Sequence, residues 1–207
     1  MRRSVPCHAE ADGLGASRRL AVRRARAGEL ARRAFGRDAR RQQDFVGVAL
    51  HRAGSAGAAH HAAGGFASSG PVAASDPAAW NAQLTTNLHT AYAVARGFLP
   101  ALRERHGSIT FIASQAALPG ARVAGVSAYA VAKGGVLALM RAIAQEEREH
   151  QVRANAVAPG TLRTGANTKA VPSATLMVDL ESVVQAVRFL AGADARQVTG
   201  QVIELAP

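Results

Sequence analysis

From about residue 77 onward, helical apolar periodicity alternates with short runs of β-formers, and this constrains the fold more than any other feature of the chain. Asp76-Pro77 reads as a helix start, an N-cap acid followed by proline at the first helical position. Apolar residues then recur at helical spacing through Trp80, Leu84, Leu88, Tyr92, Ala95 and Leu99. Pro100 is expected to kink this helix rather than end it, because Leu102 continues the pattern up to Gly107. Residues 108–113 form a predicted strand, residues 115–126 a loop, and Ser127 opens a helical stretch to about His150. Residues 152–157 are the next strand, stopped by Pro159-Gly160, and residues 161–178 read as irregular. Asp179 can cap a helix reaching Leu190, and residues 201–205 form a last strand. The expectation is an α/β fold, a doubly wound, Rossmann-like parallel sheet covered by helices. In such sheets ligands sit at the C-terminal ends of strands. Attention therefore falls on residues 114–127, 158–165 and whatever follows the strand before residue 65.

The first 60 residues depart from this order. Residues 45–50 are the one convincing strand there, and Gly13-Leu14-Gly15 is compatible with a phosphate-binding turn or an ordinary loop. Between Gly15 and the pair Gly64-Gly65 lie 48 residues. Three further strand–helix pairs would need about 70. The N-terminal half of the sheet is therefore expected to be incomplete. Residues 1–207 are expected to form one domain, atypical over 1–60 and regular over 61–207.

Charge and composition narrow the function classes. Of 25 basic and 14 acidic residues, 13 arginines and 5 acids fall in residues 1–52, so the net charge of +11 belongs mostly to the first quarter. Only Phe35 and Phe45 accompany that arginine run, which supports a solvated basic face over nucleic-acid binding by stacking. One cysteine, Cys7, excludes an intramolecular disulfide and a cysteine-based zinc site, and suits a reducing, cytoplasmic setting. No uninterrupted apolar run approaches the ~18 residues of a membrane span. The start lacks the apolar stretch of a secretory signal, and Glu10 and Asp12 argue against an organelle transit segment.

Tyr129-Ala130-Val131-Ala132-Lys133 carries the strongest chemical signal. Four residues apart on a helix, the phenol and the ammonium face the same space. The positive charge is expected to favour the phenolate and so lower a pKa ordinarily near 10. A tyrosine tuned in this way can exchange a proton with a carbonyl or alcohol oxygen. Tyr129 is one of two tyrosines and Lys133 one of two lysines in the chain. Ser114 follows the predicted strand 108–113, and Asn87 is a polar residue in an apolar helical register. Asn155-Ala156-Val157-Ala158-Pro159-Gly160 ends the next strand in a Pro-Gly turn.

Together with Val198-Thr199-Gly200-Gln201-Val202-Ile203, these features resemble the short-chain dehydrogenase/reductase family over about residues 60–206. The resemblance implies a nicotinamide-dependent oxidoreductase that moves hydride to or from a carbonyl, imine or alcohol, with NAD or NADP as cofactor and no metal. It makes Tyr129 the acid/base and Lys133 its partner and a ligand of the nicotinamide ribose. Ser114 would hold the substrate oxygen, and Asn87 would anchor a water in a proton relay. Pro159, Gly160, Leu162 and Thr164 would wrap the nicotinamide end. The family's first glycine turn is only partly kept: Gly13 and Gly15 survive, and Ala9 replaces the first glycine. Asp38 stands near the distance of an adenosine-ribose ligand without a strand before it, and Arg18 and Arg19 would tolerate a 2′-phosphate. The turn after the fourth family strand has two candidates, His51-Arg52-Ala53-Gly54 and His61-Ala62-Ala63-Gly64. The second is preferred for its distance from Asn87, which makes Ala63 and Gly64 cofactor-binding candidates.

Adjacent His60 and His61 could suggest metal, but neighbours on a strand point to opposite sides and no acid partner is placed. A narrower resemblance, to dihydropteridine-reductase-like members, rests on Ala63-Gly64-Gly65-Phe66 and on residues 161–167 with 171–174. The implied partners are a small-molecule substrate and further copies of the chain, as a homodimer or homotetramer, with neither nucleic acid nor membrane. The competing expectation is a non-catalytic relative that keeps the scaffold and binds dinucleotide poorly, since residues 1–60 are eroded.

Overall fold

The computed structural model describes residues 48–53 and 56–207. Gly13, Gly15, Arg18, Arg19 and Asp38 lie outside them, as do residues 45–47 of the first predicted strand. Among the described residues, five strands form one sheet in sequence order: β1 (Val48–Ala53), β2 (Ala56–His61), β3 (Ser108–Ile112), β4 (Arg153–Pro159) and β5 (Val202–Leu205). From β2 to β5 the strands run parallel, joined by helical crossovers. β1 is antiparallel to β2, pairing Val48 with His61 and Ala53 with Ala56. Only two residues separate these strands, enough for a hairpin and far too few for a crossover. The candidate turn His51 to Gly54 is accordingly spent within β1 and its connection, and the segment from His61 to Gly64 leaves the C-terminal end of β2.

The helices follow the sequence closely. Helix α1 (Pro77–Gln83) begins where Asp76 accepts a hydrogen bond from the Ala78 amide at 2.9 Å. A π-helical segment, Leu84–His89, then leads into α2 (Thr90–Arg103), which carries Pro100 inside it. Proline adds no backbone donor there, yet the helix continues, as Leu102 implied. Helix α3 (Ser127–Glu146) is followed after β4 by α4 (Gly165–Ala170) and α5 (Leu180–Ala191). Helix α4 corrects the expectation that residues 161–178 are wholly irregular. It forms because the Thr164 hydroxyl accepts from the Asn167 amide at 3.1 Å, an N-cap worth about 1 kcal/mol. Asp179 precedes α5 without capping it; its carboxylate pairs instead with Arg163 at 2.8 Å.

Strand alternation decides what each sheet face buries. Ile109 and Phe111 of β3 and Ala154, Ala156 and Ala158 of β4 join Val94, Phe98, Val136 and Met140 in one apolar core beneath α2 and α3. The opposite face offers Thr110, Asn155 and Val157, over which α5 brings Leu190. By length and composition α3 is apolar enough to cross a bilayer, but Ala132, Val136, Leu137, Met140 and Ile143 are buried in this core. Asn155 spans the gap to β5, donating to the Val198 carbonyl at 2.8 Å and accepting from the Gln201 amide at 3.0 Å. The C-terminal ends of β2, β3, β4 and β5 thus converge on one rim.

Candidate active site

Four elements meet at that rim. Asn87 sits in the π-helical segment, where its Nδ2 donates to the Gly65 carbonyl at 3.0 Å and the Gln83 carbonyl at 3.1 Å. Its Oδ1 accepts from the Gly65 amide at 3.2 Å. Asn87 therefore clamps the backbone that leaves β2. A β-carbon on Gly64 would stand 2.7 Å from Asn87 Oδ1 and 2.9 Å from Lys133 Nζ, so only glycine lets these two groups approach the turn. Ala63 beside it is buried. Lys133 is buried too, and its Nζ donates to the Ile112 carbonyl at the end of β3, 2.9 Å away.

Tyr129 lies one turn earlier on α3, with Lys133 Nζ 5.9 Å from its ring centroid. Ser114, just past β3, accepts from the Ala116 amide at 3.2 Å, which orients its hydroxyl at a 3-10 turn. The electrostatics correct one expectation. The Tyr129 phenol is pushed up, not down: burial is the larger effect, and a hydrogen bond with Ser114 opposes it. Burial acts on Lys133 in the other direction and lowers it to about 8. The i, i+4 spacing puts both groups on one face, as expected, but burial is the largest cause of both shifts. At neutral pH the phenol holds its proton and the lysine its charge.

Pro159 and Gly160 close the rim on the β4 side. Gly160 donates to the Leu205 carbonyl at 3.0 Å, and a β-carbon on it would meet Gln115 Oε1 at 2.6 Å. Gln115 Nε2 in turn donates to Glu204 at 2.9 Å, linking the ends of three strands. Leu162 forms a parallel bridge with Val178, which shuts the 161–178 segment at its base. The Thr164 hydroxyl is engaged as the α4 cap. Asn87, Gly64, Lys133, Tyr129 and Ser114 are thus brought together around the ends of β2 and β3, with Pro159 and Gly160 across the rim.

The sequence pointed to the histidine pair without assigning its structural partners. His61 turns toward α2, where its Nε2 lies 3.0 Å from Thr90 Oγ1 and its ring 6.1 Å from that of Phe111. Burial, then the nearby Lys133 charge, lowers it to about 3, so it is neutral. Gln83 and Gln115 were not anticipated; the i, i+4 spacing of Gln83 and Asn87 was the available signal for the first. Among the described residues, no three His, Cys, Asp or Glu side chains gather as metal ligands.

A family model described as enoyl-(acyl carrier protein) reductase matches residues 37–205. The chain belongs to the short-chain dehydrogenase/reductase family. It is 33% identical over 135 residues to the 3-oxoacyl-[acyl-carrier-protein] reductase FabG of Thermotoga maritima, covering 60% of this chain and 54% of that protein. The corresponding reductase of Aggregatibacter actinomycetemcomitans is 36% identical over 134 residues, again 60% and 54%. This short-chain dehydrogenase/reductase thus spans about half the length of the curated relatives it matches. Among solved structures, a short-chain type dehydrogenase/reductase from Mycobacterium ulcerans superposes with a TM-score of 0.64 at 28% identity, over 72% of this chain and 58% of that one. An oxidoreductase of the same family from Burkholderia thailandensis gives 0.63 at 29% identity, over 74% and 63%. The family's doubly wound sheet is therefore present, with four parallel strands among the described residues.

Proposed function

We propose that this chain is an NAD(P)-dependent oxidoreductase that interconverts a carbonyl, or the related imine, with its reduced form. The observation that carries the reading is the gathering of three groups: the Lys133 ammonium against the Gly64 turn, the Tyr129 ring 5.9 Å from that ammonium, and Ser114 hydrogen-bonded to the phenol at the end of the neighbouring strand. The residues suit a nicotinamide riboside. Gly64 lets the turn come up against the buried Lys133 ammonium and Asn87, and Gly160 lets its turn come up against Gln115, contacts that a β-carbon at either position would crowd. Lys133 would bind the ribose hydroxyls, and Ala63, Pro159, Gly160, Leu162 and Thr164 would enclose the nicotinamide end. The chemistry such a cofactor supplies is hydride, delivered to the carbonyl carbon. Ser114 would hold the carbonyl oxygen, and Tyr129 would give that oxygen its proton as the alcohol forms. The phenol is protonated at rest, which suits the reductive direction, and the Lys133 ammonium, 5.9 Å from the ring centroid, would stabilise the phenolate left behind. Asn87 is engaged with Gly65 and Gln83, so its part is to hold the turn, with a relay water as a further role.

The substrate class of the FabG relatives, a 3-oxoacyl group, is itself a carbonyl compound, which supports this reaction type. We also infer a homo-oligomer in a reducing, cytoplasmic setting. Tyr92 on α2 and Val131 on α3 are 53% and 50% exposed, apolar surface that a second copy would cover. The test is steady-state reduction of a carbonyl panel with NADH and NADPH. Tyr129→Phe should lower the rate about 10²- to 10⁴-fold with little change in cofactor affinity. Turnover that survives Tyr129→Phe undiminished would remove the assignment. One observation favours a second reading, a relative with impaired dinucleotide binding: beside β2 stands an antiparallel strand, whose own C-terminal end lies away from the rim. A folded wild type that leaves NADH and NADPH fluorescence unchanged would favour that reading.

A further inference from the structure

Gln115 follows Ser114 directly in the chain, and its half-buried side chain crosses the rim to the ends of β4 and β5. Its Nε2 donates to Glu204 Oε1 at 2.9 Å. A carboxylate offers acceptors only, so the amide nitrogen must face Glu204 and Oε1 must turn the other way, toward Gly160. A β-carbon on Gly160 would lie 2.6 Å from that oxygen and 3.3 Å from Gln115 Cδ, so the carboxamide rests against the turn backbone itself. The Gly160 amide is held in the same place, donating at 3.0 Å to the carbonyl of Leu205, the residue after Glu204. Gln115 is just as firmly placed on the β3 side. Its 3-10 turn is closed by the Ala117 amide on the Ser114 carbonyl at 3.0 Å and the Leu118 amide on the Gln115 carbonyl at 2.9 Å. Backbone pairing between β3 and β4 runs as far as the Ala113 amide, which donates to the Val157 carbonyl at 2.8 Å. Beyond that point the Gln115 carboxamide continues the connection from Ser114 to the Gly160 turn.

We propose that Gln115 is a positioning residue, anchored by Glu204, that sets the Gly160 turn against Ser114 and so fixes the gap between the nicotinamide and the carbonyl carbon. This rests on the oxidoreductase reading and deepens it. Transfer across such a gap needs short, aligned contact, and a misplacement of about 1 Å can cost about 10² in rate. Ser114 sets one side of the gap through the carbonyl oxygen, and the Gly160 turn sets the other through the nicotinamide end. Gln115 is the neighbour of the first and presses on the second. The bond to Glu204 matters because a free glutamine side chain loses much rotamer entropy when it is held in one conformation. With its nitrogen fixed on β5, the carboxamide keeps its oxygen at the turn.

Three variants of the full chain test this: Gln115→Glu, Glu204→Gln and the two together. Gln115→Glu removes the donor and sets two carboxylates face to face. The double variant restores the bond with donor and acceptor exchanged, and still presents an oxygen to Gly160. In calorimetric titrations with NADH and NADPH, Gln115→Glu should bind the preferred cofactor about tenfold more weakly, and the double variant within about twofold of wild type. At saturating cofactor, kcat for carbonyl reduction should fall about tenfold in Gln115→Glu and recover in the double variant. The isotope effect from cofactor deuterated at the transferred hydrogen should rise and recover with it, a change that a purely structural role of the pair would not produce. Wild-type affinity in Gln115→Glu, or a double variant no better than Gln115→Glu, overturns the proposal, as does a wild type that binds neither cofactor. Turnover that survives Tyr129→Phe undiminished, or a wild type that binds cofactor and reduces no carbonyl, defeats the oxidoreductase reading instead. The affinities of the three variants then still decide the role of Gln115.

Discussion

Gly64 faces Lys133 so closely that a β-carbon on the glycine would lie 2.9 Å from the lysine Nζ, and the same carbon would crowd Asn87 Oδ1. The turn after β2, the π-helical segment and α3 are thereby locked into one arrangement by the absence of a single methyl group. Gly64→Ala should push both polar ends aside without unfolding the chain, because the Lys133 terminus can give way. A displacement of about 1 Å at the reacting groups costs about 10² in rate, so the variant should lose activity on that scale while its Tm stays near that of wild type. Paired activity and thermal-melt measurements check this; full activity would mean the close approach has no catalytic consequence.

Lys133 carries a stability cost with a definite pH window. Its ammonium falls to about 8 from an ordinary 10.5, because burial penalises the charge. Between those values the unfolded chain holds a proton that the folded chain has released, so the lysine contribution to stability improves as pH rises from about 8 to 10.5. Lys133→Met removes the buried charge and should stabilise the protein at pH 7 by up to ~3 kcal/mol while abolishing turnover. Urea unfolding at pH 7 and pH 10 measures it, with the gain expected to shrink at the higher pH.

His61 works at the acid end. It is lowered from 6.5 to about 3, chiefly by burial, so the neutral ring is the form that packs against Phe111 and meets Thr90. Its contribution is whole above about 6.5 and is lost as pH falls toward 3, since only the unfolded state takes up the proton in between. Each pH unit in that window costs up to ~1.4 kcal/mol. His61→Gln should flatten the pH dependence of Tm between pH 6.5 and 4, and an unchanged slope would show that His61 is not the group being titrated.

Arg103 and Glu147 tie α2 to the end of α3 through a two-pronged contact, 2.7 Å at both oxygens. Glu147 is only 1% exposed, and the guanidinium hydrogen bonds hold its carboxyl below the usual range. Arg103→Ala leaves a buried carboxylate without its partner, so Tm should fall at pH 7 and fall less at acid pH, where the carboxyl is neutral. Adding Glu147→Gln should restore part of the loss. A double variant no more stable than Arg103→Ala would show that packing by the arginine stem, not the charge, matters.

By itself the sequence determined most of the fold after residue 76 and named the residues that meet around the ends of β2 and β3, Asn87, Gly64, Lys133, Tyr129 and Ser114. Helix periods, the Asp76-Pro77 start and the strand runs are local patterns, and local patterns survive without a tertiary context. Tyr129 and Lys133 share a face through helix geometry alone, and Ser114 sits past β3 through strand length alone. The tertiary structure decided what depends on contacts distant in the chain. β2 is alanine- and histidine-rich, a weak strand until β3 pairs with it, so the antiparallel β1–β2 hairpin was not read from its two-residue link. The upward displacement of the Tyr129 phenol is a desolvation effect, and desolvation is set by what the fold packs around a group, not by which residue lies four positions away. The meeting of Gly64 with Lys133, 69 positions apart in the numbering, and of Phe66 with Tyr129 likewise exists only once β2 and α3 are packed.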